Sequence, residues 1–80
     1  MKYILFVCVM NSARSQMAEG FFNSYNKNPG FKAISAGLRP VNAVNEKSIL
    51  VMDEKGIDIS SHYPKLLTGE MIEQAEKIFT

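Results

Sequence analysis

The chain has 80 residues and a formal net charge of +1, with 46% hydrophobic and 21% charged residues. That length allows one domain with a modest core, and the composition is that of a globular chain rather than a disordered one. A charge so near zero excludes the broad basic face that nucleic-acid binding draws on, and there is no acidic tail.

The run Tyr3-Ile4-Leu5-Phe6-Val7-Cys8-Val9 is continuously apolar and rich in β-branched and aromatic residues. It predicts a strand buried on both faces, as in a parallel sheet. Extended to Met10, it is still too short to span a membrane, and no small-residue cleavage site follows it, so neither a membrane segment nor a signal peptide is expected. Asn11-Ser12 then breaks the strand. Met17, Phe21 and Tyr25 recur every four residues, with Ala18 and Phe22 beside them, which predicts an amphipathic helix over residues 15–25. Asn26-Lys27-Asn28-Pro29-Gly30 stops it. Residues 31–36 read as a second strand closed by Gly37. Pro40 leads into a helix expected over residues 42–55, with Asn42 as its N-cap and Gly56 as its stop. Ile57-Asp58-Ile59 reads as a short extended piece and residues 60–67 as a loop. Thr68 caps a third helix with Glu70 in its first turn, and residues 77–80 begin another apolar strand.

This order predicts an α/β fold, a doubly wound parallel sheet with the first strand central, truncated after the third strand. Residues 1–80 are therefore expected to form a single, incomplete domain. One sheet face would be short of cover and open to self-association. Cys8 is the only cysteine, so no internal disulfide can form, which fits a reducing compartment, a cytoplasm.

The loop after the first strand would lie at the carboxyl edge of the sheet, where open α/β folds bind ligands. It reads Cys8-Val9-Met10-Asn11-Ser12-Ala13-Arg14-Ser15 and runs into the start of a helix. Backbone N–H groups there lack helical partners, and the helix dipole adds positive potential, so Val9, Met10, Asn11, Ser12 and Ala13 can form a nest for a tetrahedral oxyanion. Arg14 supplies a planar fork of donors for two of its oxygens. Positive surroundings favour the thiolate of Cys8, the nucleophilic form, and the Ser15 hydroxyl can donate to it. The competing interpretation is a small cysteine packed at a strand end with a surface arginine. No His, Cys, Asp or Glu cluster has metal-ligand spacing. Met17, Met52 and Met71 read as core, whereas Met10 lies in the anion loop.

The segment from Cys8 to Gly20 resembles the start of the low-molecular-weight protein tyrosine phosphatase superfamily. Gln16, in Arg14-Ser15-Gln16-Met17-Ala18-Glu19, resembles the arsenate reductase branch, where the phosphatases read Arg-Ser-Pro. Ile34-Ser35-Ala36-Gly37, Gly56-Ile57-Asp58-Ile59-Ser60 and Pro64-Lys65-Leu66-Leu67-Thr68 extend the resemblance over nearly the whole chain. It implies a flavodoxin-like fold and an arsenate reductase, with low-molecular-weight phosphatase activity on phosphomonoesters as the alternative. A catalytically incomplete oxyanion-binding domain is the alternative of another class.

Carried onto this sequence, the resemblance makes Cys8 the nucleophile on arsenic or phosphorus. Arg14 and the loop amides become the oxyanion site, and Ser15 the support of the thiolate. Asn11 shapes the loop in an unusual backbone conformation, within a network that includes Ser35, with simple turn chemistry as the alternative for both residues. His62 either joins that network or is a surface residue. The family's acid, an Asp before a Pro, lies beyond position 80; Asp53 and Asp58 are in other segments and read as solvated. With one cysteine, an internal disulfide relay is impossible within these residues. Further cysteines beyond Thr80, or an external thiol reductant (thioredoxin or a small thiol), are implied instead. No tightly bound cofactor is expected.

Overall fold

The computed structural model describes all of residues 1–80. The first apolar run forms β1 (Lys2–Cys8), with Leu5 completely buried and Ile4 nearly so. It is followed by α1 (Arg14–Tyr25), β2 (Phe31–Gly37), α2 (Glu46–Glu54), α3 (Gly69–Gln74) and β3 (Ala75–Phe79). The sheet has the order β2-β1-β3 with both pairings parallel, so the first strand is central as expected. β3 starts two residues before the apolar run that announced it, because Ala75 pairs with Tyr3 across a shift in register. The Phe6 and Phe79 rings stack across β1 and β3 with centroids 5.6 Å apart.

The core lies beneath α1 and α2. Val44, Met52, Ile57 and Ile59 form its buried centre, and Met17, Phe21 and Ile49 pack against it. The segment read as a short extended piece pairs with no strand; its two isoleucines fill this core instead. Gly20 permits the close packing, since a Cβ there would lie 2.8 Å from Ile59 Cγ2.

The helix expected from Asn42 begins later. Its N-cap is Asn45, whose Oδ1 accepts from the N–H groups of Lys47 at 2.8 Å and Ser48 at 3.3 Å. Residues 41–45 are drawn out of the helix by backbone bonds to the loop after β1, from Val41 N–H to Met10 O and from Asn45 N–H to Ser12 O. Gly56, with φ of 77°, closes the helix as expected. Thr68 Oγ1 accepts from Met71 N–H at 3.2 Å and caps α3.

The outer side of β2 is occupied at three places. Asn26 Nδ2 donates to Phe31 O, Asn23 exchanges two hydrogen bonds with the backbone of Ala33, and Gly37 pairs with Lys65 O and Leu67 N–H. No helix is long and apolar enough to cross a membrane.

Candidate active site

Cys8 ends β1 directly opposite Gly37 at the end of β2, which puts it at the carboxyl edge of the sheet. The loop that follows is held by its carbonyls. The oxygens of Cys8, Val9, Met10 and Ser12 accept from the N–H groups of Leu38, Arg39, Val41 and Asn45. The oxygen of Asn11 accepts from Gln16 Nε2, and that of Ala13 from Met17 N–H. Every carbonyl from Cys8 to Ala13 is thus engaged away from the loop's centre. The N–H groups of Val9, Met10, Ala13 and Arg14 meet no acceptor in the protein. Ala13, at the N-cap of α1, makes no side-chain cap and so takes none of these amides.

The sulfur of Cys8 lies 2.8 Å from Ser15 Oγ and accepts from Asn11 N–H at 3.2 Å. Partial burial pushes the thiol up. The hydrogen bond with the Ser15 hydroxyl, then the backbone N–H groups of Ser15, Asn11 and Ser12, outweigh it and bring the thiol below its ordinary value.

Cys8, Arg14 and Ser15 line one cavity of about 450 Å³, together with Val9, Leu38 and Phe79. Arg14 is exposed and takes part in none of the three ion pairs. A thiol lowered from its ordinary value, free amides and an uncommitted guanidinium therefore share one opening, an arrangement able to hold a tetrahedral anion against a sulfur nucleophile. Val9 and Met10 are more than half exposed at the rim.

Behind the loop, Asn11 is fully buried and has φ of 52°, the left-handed region that asparagine tolerates better than most residues. Its Nδ2 donates to Ser15 Oγ at 2.7 Å, and its Oδ1 accepts from Lys65 N–H at 2.8 Å and Gln16 Nε2 at 3.0 Å. A hydrogen-bond network surrounds Asn11, and Ser35 makes no direct bond to Asn11 but reaches the network through Glu19. The Ser35 hydroxyl donates to Glu19 Oε1 at 2.8 Å, because its strand position places it beside α1 rather than beside the loop. His62 belongs to the network rather than to the surface. Its Nδ1 lies 3.1 Å from Gln16 Oε1 and 3.4 Å from Glu19 Oε2. Lys65 Nζ completes the cluster, 3.6 Å from Glu19 Oε1. No group of three or more His, Cys, Asp or Glu side chains is placed to hold a metal ion.

The family model described as low molecular weight phosphotyrosine protein phosphatase matches residues 3–80. The chain belongs to this phosphatase family. Among curated relatives, the arsenate reductase of Staphylococcus aureus (strain N315) is 39% identical over 79 residues, 99% of this chain and 59% of that protein. The chain thus spans about three-fifths of the length of the curated relatives it matches. A low-molecular-weight protein tyrosine phosphatase from T. tengcongensis superposes with a TM-score of 0.88 at 36% identity, covering 98% of this chain and 56% of that one. A thioredoxin-dependent arsenate reductase from Corynebacterium glutamicum superposes with a TM-score of 0.90 at 29% identity, covering 98% and 39%. The flavodoxin-like fold of the phosphatase family is therefore this chain's fold.

Four further members of the site in this phosphatase-family chain escaped the reading of roles from sequence. Gln16 is legible in the sequence only as a mark of one branch. Glu19 carried no signal beyond its place in the motif. Lys65 reaches Asn11 through its backbone N–H, which no side-chain pattern reveals. Gly37 matters through what it lacks: a Cβ would lie 2.8 Å from Val9 O and 2.9 Å from Asn11 Cβ.

Proposed function

We propose that this chain carries the oxyanion-binding and nucleophilic site of an arsenate reductase. The observation that carries the reading is the sulfur of Cys8 held by Ser15 and Asn11, beside unpaired loop amides and the Arg14 guanidinium. In this reading, the Arg14 guanidinium and the unpaired amides among residues 9–14 bind arsenate and stabilise charge as it develops. The Cys8 thiolate attacks arsenic, an arsenic–oxygen bond breaks, and that oxygen leaves as water after protonation. A second thiolate then attacks the Cys8 sulfur. The sulfur–arsenic pair of electrons stays with arsenic, which leaves as arsenite, and the two sulfurs remain as a disulfide. Arsenic gains two electrons and the two thiols lose them.

Cys8 is the only cysteine of the 80 residues, so the second thiol comes from outside them. A thiol–disulfide protein or a small thiol fits that role, and the thioredoxin-dependent relative supports it. Ser15 steadies the thiolate, and Asn11, with His62 behind it, holds the loop; Ser35 contributes through Glu19.

Phosphomonoester hydrolysis by the same thiolate is the second reading, favoured by the likeness to the T. tengcongensis phosphatase. No Asp or Glu side chain lines the cavity, so in that reading the acid for an alkoxide leaving group comes from outside these residues. The test is arsenite production from arsenate with a thioredoxin system or a small thiol, run beside an aryl phosphate assay and phosphate binding. Arsenate-dependent thiol oxidation is expected. Aryl phosphate turnover without it overturns the arsenate reading in favour of the phosphatase, and phosphate binding with neither turnover supports a binding domain.

A further inference from the structure

Gln16 follows Ser15 on α1, and its side chain is completely buried. Its Nε2 lies 2.9 Å from Tyr63 O, 3.1 Å from Asn11 O and 3.0 Å from Asn11 Oδ1. Backbone carbonyls only accept, so the carboxamide has one possible orientation and Oε1 faces away from them. Oε1 meets His62 Nδ1 at 3.1 Å, so that ring nitrogen carries the hydrogen. The same logic runs toward the sulfur. Asn11 receives hydrogens from Gln16 Nε2 and Lys65 N–H, which fixes that edge of its carboxamide as Oδ1. Its Nδ2 must then donate to Ser15 Oγ at 2.7 Å. With Oγ accepting there, the single Ser15 hydroxyl hydrogen is left for the Cys8 sulfur at 2.8 Å.

We propose that Gln16 is a positioning residue for the nucleophile: by fixing the Asn11 carboxamide and its left-handed backbone, it aims the Ser15 hydroxyl hydrogen at the Cys8 sulfur. Gln16 does not line the cavity and acts only through Asn11. Without it, Asn11 O would lose its hydrogen-bond donor in the interior, and only Lys65 N–H would remain to hold Asn11 Oδ1 in place. The inference rests on Cys8 being the nucleophile and is indifferent to which oxyanion it attacks. Arg14 faces the chain of bonds from the cavity, and Glu19, His62 and Lys65 face it from the opposite end.

The experiment is the pH dependence of Cys8 alkylation by iodoacetamide in the full chain and in Gln16→Met, which keeps length without polarity. The midpoint should rise by about one pH unit in the variant, about tenfold less thiolate at a pH well below it. Met52→Ala, which empties part of the core, serves as a control that lowers stability and should leave the midpoint unmoved. An unmoved midpoint in folded Gln16→Met overturns the proposal. Should that variant fail to fold, the side-chain amide protons of Gln16 are followed by NMR in the unaltered protein. They should shift with the midpoint of Cys8, and protons that stay flat through that titration overturn the proposal. Arsenate turnover is read separately, so its failure leaves the alkylation result standing.

Discussion

Gly37→Ala tests the geometry of the anion loop without touching any group that reacts. The added Cβ would sit 2.8 Å from Val9 O, 2.9 Å from Asn11 Cβ and 3.0 Å from Asn11 N. An ordinary contact begins near 3.4 Å, so one side must retreat by about 0.6 Å. β2 cannot give freely, since Gly37 N–H is bonded to Lys65 O at 2.8 Å and Gly37 O accepts from Leu67 N–H at 2.9 Å. Val9 O is itself held by Arg39 N–H at 2.7 Å, so the strain falls on the loop as well, where the Asn11 N–H bond to the sulfur, at 3.2 Å, stretches. Overpacking of this kind costs about 1–3 kcal/mol, and each kcal/mol lowers Tm by about 4–8 °C in a domain of this size. Misplacement of a reacting group by about 1 Å can cost about a hundredfold in rate. Thermal unfolding, inorganic phosphate binding by calorimetry and Cys8 alkylation read the three consequences. A variant with the parent's Tm, phosphate affinity and alkylation rate refutes the reasoning, because it would mean the loop is not braced against β2.

Arg14→Ala should weaken binding of inorganic phosphate by about ten- to a hundredfold, the worth of hydrogen bonds to a charged partner, with little change in Tm; equal affinity by calorimetry contradicts its place in the anion site. Ser15→Ala removes a hydrogen bond to the sulfur and leaves buried Asn11 Nδ2 without its acceptor. Its alkylation midpoint should rise, and urea unfolding should show a loss of about 1–3 kcal/mol. The thiol of Cys8 is lower in the folded chain than its unfolded value of 9.0, so ionisation favours folding. That stabilisation is present above 9.0 and is lost as pH falls through the lower, folded midpoint. The stability of the parent chain relative to Cys8→Ser should accordingly grow as pH rises between the two values; a pH-independent difference in urea midpoints contradicts it.

What was legible in the sequence was local. The apolar run of β1, the four-residue spacing of Met17, Phe21 and Tyr25, and the short path from Cys8 to Arg14 all act within a few residues of one another. They placed the central strand, the first helix and the shared cavity. Contacts between distant segments were not legible. Asn42 and Asn45 are chemically equivalent caps, and the choice fell to backbone bonds from residues 41 and 45 to the loop after β1. Ser35 and Asn11 are both buried polar residues near the site, but Glu19 claims the serine hydroxyl. The second donor to Asn11 Oδ1 is a backbone N–H 54 positions away, invisible to any pattern of side chains.

The carboxamides along β2 have a consequence for how the sheet can be extended. Strand addition from another chain needs a row of free backbone donors and acceptors, and exposed edges of that kind are where aggregation starts. On β2, Asn26, Asn23 and the 65–67 segment already take the groups of Phe31, Ala33 and Gly37. Lateral polymerisation through that margin is blocked by two asparagine side chains and a loop. The opposite margin, along β3, carries Ile78 and Phe79, whose side chains stand about half exposed.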